Sequence, residues 1–294
     1  MQNRRTTLSL AAILVLAASL VACGGGSDDQ PTTTLTVTPV LGAVYGASVT
    51  VFNGTTGATL GGGVTGATSG SADILLQGSL TGPVVVRVSL SPGTKYYDEK
   101  LNQEVVITSS NQTSMLTVLP ALPSTAKKSV GVTPISNMAA KLAGLDPAST
   151  SFSIKADKVN DGAARAVLAL GLPQSFNITA TPVAAKSATL PTDVYGRLLA
   201  EMAKLAPTNA LDQNNTLANA ATTGAVTTSA ALTAATTALS SAAASVNTLK
   251  GAGTVAIAAP NLTPPSATLT AATNAQNTAI SSGLVPTGAT GASN

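Results

Sequence analysis

The clearest structural signal in this chain is the heptapeptide Gly46-Ala47-Ser48-Val49-Thr50-Val51-Phe52. Its side chains alternate between two faces of an extended backbone. One face holds Ala47, Val49 and Val51, and the other holds Gly46, Ser48, Thr50 and Phe52. A period of two is typical of a β-strand that lays one face on a core. The turn residues Asn53-Gly54 then end the segment.

Similar segments lie on both sides of this strand. They are rich in Val, Ile, Leu and Thr, they are bounded by turn residues, and they cover residues 34–40, 72–77, 84–90, 104–108 and 115–119. Short strands at this spacing, with no helix between them, predict an antiparallel β-sandwich over residues 35–122. Its core is expected to be aliphatic, because aromatic residues make up only 2% of the chain.

The period changes after Pro123, where short amphipathic helices are predicted. Thr133-Pro134 is a favourable helix start, with threonine as the N-cap and proline at the first helical position. Two further helices are predicted over residues 159–170 and 194–205. Helices this short need a partner surface to be stable in water. We therefore expect a small helical region over residues 123–210, which makes the chain an α+β protein.

The last third of the chain is rich in alanine and threonine. An Ala/Thr-rich helix is predicted within residues 211–250, with an apolar stripe at Leu232, Ala235, Leu239, Ala242, Val246 and Leu249. The stripe could pack on its own domain or form a seam between subunits. Residues 251–294 are mainly small and polar, which predicts a low-complexity, flexible tail or one weakly held helix.

The first 23 residues have the pattern of an export signal. Arg4 and Arg5 precede an uncharged stretch over residues 8–21, which is shorter than the roughly twenty residues of a transmembrane helix. Leu20-Val21-Ala22-Cys23 closes it, and Cys23 is the only cysteine. This arrangement resembles the signal peptide and lipobox of bacterial lipoproteins. The resemblance implies that residues 1–22 are removed and that Cys23 is acylated, for example with palmitate.

The alternative is a cleaved signal without lipidation, which would leave a lone thiol on an exported protein. Residues 23–34 are rich in Gly, Ser, Asp and Thr, and predict a flexible tether to the membrane. In such lipoproteins an aspartate directly after the cysteine favours retention in the inner membrane. Gly24 stands there in this chain, so the resemblance implies the outer membrane, with the periplasmic or cell-surface face left open.

The β-rich region resembles a second family. Residues 46–52 with Thr56-Gly57 after them, residues 82–88 and Tyr97-Asp98-Glu99 are similar to segments of transthyretin-like and carboxypeptidase-regulatory-like β-sandwich modules. The order of the helices that follow extends the resemblance over residues 35–206. The glycine-rich hairpin at 61–70 departs from the pattern. Such modules are usually accessory, so the resemblance implies a fold and carries no catalytic residue.

Composition excludes several classes of function. The chain has no histidine, which excludes Ser-His-Asp triads, Cys-His pairs and imidazole metal ligands. After removal of residues 1–22, which contain Arg4 and Arg5, the chain has thirteen basic and twelve acidic side chains. That balance lacks the basic face that binds nucleic acid. With Cys23 as the only cysteine, no disulfide can form within the chain. We expect no metal and no cofactor.

Two short motifs hint at chemistry. Ser124 and Lys127 have the Ser-x-x-Lys spacing of serine acyl enzymes, but the chain lacks the Ser-Asp-Asn and Lys-Thr-Gly elements that those enzymes also need. Asp157, Asn160 and Asp161 hint at a calcium loop, but apolar residues occupy two of its ligand positions. We interpret the first motif as an exposed linker and the second as the polar face of a helix.

Two pairs of adjacent residues are the remaining candidates for a functional site. Asp98 and Glu99 are adjacent carboxylates, and neighbours on a strand point to opposite faces. We therefore interpret them as a solvated turn rather than as an acid-base pair. Tyr96-Tyr97 could form a small binding patch, although tyrosines at sheet edges are common without function. No residue is predicted to be catalytic.

These observations favour a non-enzymatic, lipid-anchored exported protein with a role in binding, adhesion or envelope structure. Its expected partners are the membrane, through Cys23, and a protein or glycan ligand. Two alternatives stay open. One is a hydrolase of the Ser-Lys or acid-only type, and the other is an oligomeric structural subunit assembled through the stripe at Leu232 to Leu249.

Overall fold

The computed structural model describes residues 33–77, 80–122, 127–222, 225–226, 230–246 and 256–283. The strands among them are β1 (Thr33–Pro39), β2 (Val44–Tyr45), β3 (Ser48–Asn53), β4 (Thr59–Val64), β5 (Ala72–Leu76), β6 (Val84–Leu90), β7 (Lys95–Asp98), β8 (Gln103–Val106), β9 (Thr113–Leu119), β10 (Lys127–Val132), β11 (Ala221–Thr222) and β12 (Ala225–Val226). The helices are α1 (Pro134–Leu142), α2 (Ala156–Leu170), α3 (Val194–Lys204), α4 (Ala210–Ala220), α5 (Ala230–Val246) and α6 (Ser266–Ser282).

Mixed α and β content is therefore confirmed. The predicted signal peptide, Cys23 and most of the tether lie outside the described residues. The last two tether residues, Thr33 and Thr34, belong to β1. Of the helices that the structure describes, none has the length and hydrophobicity needed to cross a bilayer.

Two sheets share the main hydrophobic core. The first is antiparallel, with the strand order β4-β3-β6-β9, and the second has the order β10-β1-β5. The alternation read from the sequence is confirmed at Val49 and Val51, which are buried while Ser48 is exposed. Leu35 and Val37 of β1 are fully buried in the same cluster. Each sheet thus contributes one apolar face to a common interior.

The predicted strand positions are confirmed, but the β region extends further than expected. Strand β10 lies within the region predicted to be helical, and it pairs with β1 in parallel, with Val130 opposite Val37. A parallel partner must come from a distant segment, and the Lys- and Gly-containing sequence of β10 carries a weak strand signal. Gly61 of the glycine-rich segment also belongs to a strand, β4, and the position requires glycine because a Cβ there would lie 2.7 Å from the Leu75 carbonyl oxygen.

The helix boundaries follow the capping signals. Thr133 Oγ1 accepts a hydrogen bond from the Ser136 N–H at 3.1 Å, and Ser136 Oγ accepts one from the Thr133 N–H at 2.9 Å. This capping box begins α1 as predicted. Gly171 ends α2 in the left-handed conformation, with φ of 69°. Asp193 caps α3 through the Gly196 N–H.

The helix predicted within residues 211–250 is α5, and the structure places a further helix, α4, and the β11–β12 hairpin before it. The part of the stripe whose burial is described, Leu232, Ala235, Leu239 and Ala242, is buried in the core of the chain itself. A stripe buried there is not a free surface for a second subunit. The interpretation as a helix packed on its own domain is therefore favoured over the seam.

Of the two alternatives for the tail, the structure favours a helix over a flexible segment at residues 266–282, which form α6. Ala272 of α6 packs on Ala164 and Leu168 of α2. Gln276 is fully buried, and its Nε2 donates to the carbonyl oxygens of Gln174 at 2.6 Å and Phe176 at 2.9 Å. The small, polar residues of this segment form no clear apolar face in the sequence. Hydrogen bonds from the Gln276 side-chain amide hold the helix in place.

We predict that Gln276→Ala destabilises the fold by about 2 kcal/mol, because it leaves the buried Phe176 carbonyl and the half-buried Gln174 carbonyl without their donor. Urea unfolding measures this change in the free energy of unfolding. The matched control is Asn274→Ala, which removes an exposed amide from the same helix and is expected to change stability by less than about 0.5 kcal/mol. Equal effects of the two variants would contradict the docking of α6.

Candidate functional site

Asp98 is a buried carboxylate that joins the β and helical parts. Its Oδ1 accepts hydrogen bonds from the N–H groups of Lys100 and Leu101, each at 2.9 Å. Its Oδ2 accepts one from the Tyr96 hydroxyl at 3.2 Å and one from the Ala210 N–H at 2.9 Å. Because Ala210 is the first residue of α4, the negative charge also lies at the favourable end of the helix dipole. The interpretation of this pair as a solvated turn is wrong.

Glu99, the next residue, lies in different surroundings. It is 7% exposed and lines a cavity of about 180 Å³. The backbone N–H groups of Glu99 itself and Gly42 lie near its carboxyl group and favour the ionised form. Oε2 is buried and has no hydrogen-bond partner among the described residues. The other lining residues are Tyr97, Asn102, Ser187, Ala188, Leu190 and Lys204.

The ionisation of Glu99 is shifted strongly by these surroundings. Burial is the main cause and raises the pKa of its carboxyl group, as does the charge of Asp98, whereas the backbone N–H groups and Lys204 lower it. The net result is a pKa of about 8. At pH 7 most of the Glu99 side chains are therefore protonated. A group that titrates near neutral pH beside a cavity is a feature of functional sites.

The tyrosine pair is central in its sheet rather than at an edge. Strand β7 lies between β2 and β8, and Tyr96 and Tyr97 are both buried. Tyr96 supports Asp98, and burial raises the pKa of its hydroxyl group. The Tyr97 hydroxyl donates to Asn102 Oδ1. Tyr97 also lines the cavity beside Glu99.

The structure does not bring the other sequence motifs together as sites. Ser124 lies outside the described residues, and the exposed Lys127 lies 3.7 Å from Asp73 Oδ2. Asp157, Asn160 and Asp161 belong to α2 rather than to a loop. Asp161 pairs with Arg165 at 2.9 Å and Asn160 donates to Asn277 at 3.2 Å, so the interpretation as a polar helix face is confirmed. No cluster of three potential metal ligands occurs within the described part of the chain.

A larger cavity is an open cleft of about 620 Å³ between the β6–β9 edge, α1 and α4. We call it the amide cleft, because amides and hydroxyls dominate its lining. The neutral polar residues are Ser89, Ser91, Gln112, Thr113, Ser114, Asn137, Asn214, Asn215 and Asn219. Lys141 and Asp146 add one charge of each sign. None of the described lining residues is aromatic.

Buried amides form the floor of this cleft. Asn137 and Asn214 are each 1% exposed, and Asn137 Nδ2 donates to Asn214 Oδ1 at 3.0 Å. Asn137 Oδ1 accepts from the Leu116 N–H of β9 at 3.0 Å. These bonds join α1, α4 and β9, so the floor is rigid before any ligand arrives. Asn215 and Asn219, four residues apart on α4, are exposed beside it.

Sequence reasoning missed the amide cleft altogether. Its residues are spread from Ser89 to Asn219, and no short motif contains more than a few of them. The one local signal was the run Gln213-Asn214-Asn215 with Asn219 after it. Comparisons of the chain with protein-family models, curated proteins and solved structures give no match.

We predict that Glu99 makes stability depend on pH between its unfolded and folded pKa values. In the unfolded chain it ionises near pH 4.5, whereas in the fold its pKa is about 8. The folded state therefore binds more protons in this window, and its stability falls as the pH rises from about 4.5 to about 8.

Glu99→Gln should remove this loss, so its free energy of unfolding relative to the unsubstituted protein should rise by on the order of 3 kcal/mol between pH 5 and pH 8. Urea unfolding at both pH values measures the difference. Glu104→Gln, which changes an exposed carboxylate on β8, is the control and should follow the unsubstituted protein at both values. A Glu99→Gln difference that is the same at pH 5 and pH 8 would refute the shift.

Proposed function

We propose that this protein is a lipid-anchored exported binding protein that takes a neutral glycan in the amide cleft. The observation that carries the proposal is the cleft lining, in which amide and hydroxyl side chains surround a preorganised floor. Binding sites are concave and largely formed in advance, with a few polar groups that fix the ligand. An open cleft of about 620 Å³ has room for a sugar of one or a few rings.

The chemistry of the lining fits a ligand rich in hydroxyl groups. An asparagine or glutamine side chain offers a donor pair and an acceptor, which match neighbouring hydroxyls that also donate and accept. Lys141 and Asp146 balance each other in charge, so the cleft selects against strongly charged ligands. Without aromatic rings in its described lining, recognition depends on hydrogen bonds rather than on stacking.

The membrane anchor rests on the resemblance of residues 1–23 to a lipoprotein signal. Acylation of Cys23 would tie the protein to the outer membrane, with residues 23–32 as the tether. Several acyl chains bind essentially permanently, since each buried methylene contributes about 0.8 kcal/mol. The two sheets with a common core support the further proposal that the β region is a transthyretin-like or carboxypeptidase-regulatory-like sandwich.

The geometry gives little support to the hydrolase alternative of the acid-only type. Such enzymes hold two carboxylates across one cleft. Asp98 and Glu99 are neighbours but face different groups, and each oxygen of Asp98 accepts hydrogen bonds within the protein. The Ser-Lys type lacks its companion motifs in the sequence. We therefore propose binding without catalysis.

We predict that cells expressing the protein incorporate labelled palmitate into it, and that Cys23→Ser abolishes the label. Without the thiol no acyl group can be attached, so the variant should leave the membrane fraction. Labelling and fractionation in the same cells measure both effects. Ser27→Ala, four residues beyond the lipobox, is the control and should label normally. A Cys23→Ser variant that stays labelled and membrane-bound would overturn the anchor.

We predict that the full-length protein in detergent micelles binds neutral oligosaccharides on a printed array. The double variant Asn215→Ala, Asn219→Ala should weaken that binding about ten-fold or more, because each lost hydrogen bond contributes roughly 1 kcal/mol. Both side chains are exposed, so the fold should survive. Asn274→Ala, which removes an exposed amide far along the chain in α6, is the matched control. The proposal would be contradicted if the protein bound no neutral sugar, or if the double variant bound as tightly as the unsubstituted protein.

A further inference from the structure

The cavity beside Glu99 is a second, chemically different site. Its described lining residues do not overlap with those of the amide cleft. Where the cleft is open and neutral, this cavity is small and contains a buried carboxyl group. Glu99 Oε2 has no partner within the described chain, although more than nine-tenths of the residue is buried. A buried acceptor without a donor costs folding free energy, and a ligand that supplies the donor would remove that cost.

The other groups on the cavity wall define what such a ligand looks like. Lys204 provides a cation, and its side chain is 39% exposed, with Nζ only loosely placed, at 3.8 Å, beside Glu201. Asn102 and Ser187 provide neutral polar groups, and Leu190 an apolar wall. A carboxylate and an ammonium in one small cavity match a ligand with the opposite pair of charges.

The volume limits the ligand to a compact molecule. At about 30 Å³ for each water molecule, about 180 Å³ holds roughly six non-hydrogen atoms. We propose that this cavity binds a small α-amino acid as a zwitterion, with its ammonium group on Glu99 Oε2 and its carboxylate toward Lys204. Glycine and alanine have the required size and charges.

Binding of an ammonium group is coupled to the ionisation of Glu99. The charged and titratable groups that interact with Glu99 are Asp98, Lys204 and the hydroxyl groups of Tyr96 and Tyr97. In the unliganded protein at pH 7 Glu99 is mostly protonated, since its pKa is about 8. An ammonium ligand favours the carboxylate, so binding expels the proton to solvent and affinity rises with pH up to about 8.

The test is isothermal titration calorimetry of the full-length protein in detergent micelles with alanine at pH 7. We expect saturable binding and release of close to one proton, measured by repeating the titration in buffers with different ionisation enthalpies. Glu99→Gln should weaken binding at least ten-fold and abolish proton release, because the charged partner is lost. Lys204→Met should weaken the binding of alanine but leave that of methylamine, which has no carboxylate, unchanged.

The control is Glu104→Gln, which should bind alanine like the unsubstituted protein. The variants are first shown to unfold cooperatively in urea, so that a loss of binding is not a loss of fold. Absence of saturable alanine binding, undiminished binding by Glu99→Gln, or acetate binding as tightly as alanine would overturn the proposal. Binding of Ca²⁺ with no binding of alanine would overturn it in favour of a cation site. None of these outcomes bears on the amide cleft.

Discussion

The buried carboxylate of Asp98 is the constraint on which the arrangement of this protein depends. It ends β7, and its two oxygens accept hydrogen bonds from the turn that follows and from the first N–H of α4. Removing a charge from water is costly unless hydrogen bonds replace the lost hydration. The chain segments that supply those bonds must therefore be in place whenever the protein is folded, which ties α4 to the sheet.

Both cavities follow from this attachment. Helix α4 begins at Asp98 and, further along, presents Asn214, Asn215 and Asn219 to the amide cleft. The turn after Asp98 begins with Glu99, so the bonds that hold the turn also hold the carboxyl group of the second cavity. The Asn137–Asn214 bond then joins α4 to α1. One buried acid thus positions polar groups at two separate places on the molecule.

Local patterns in the sequence predicted most of the strands and helices. The elements that these patterns missed depend on contacts between residues far apart in the chain. Strand alternation at Val49 and Val51 and the Thr133 cap are properties of neighbouring residues, so a reader of the sequence can find them. Strand β10 depends on a parallel partner about 90 positions away. Helix α6 depends on the bonds from Gln276 to a loop one hundred residues earlier. Its Ala- and Thr-rich sequence has no strong apolar face that would reveal the contact.

The same reasoning explains why the sequence predicts a solvated turn at Asp98 and Glu99. Adjacent carboxylates are rarely buried, and the rule that strand neighbours face opposite ways is consistent with the different groups that they contact. The rule does not say which part of the chain packs on each face of the strand. Here α4 covers one side, and the segment with Ser187 and Leu190 lies against the other.

A protein that needed only stability would place a neutral side chain at Glu99, because its Oε2 costs free energy at every pH above the unfolded pKa. A ligand that donates a hydrogen bond to this carboxyl group would offset that free-energy cost.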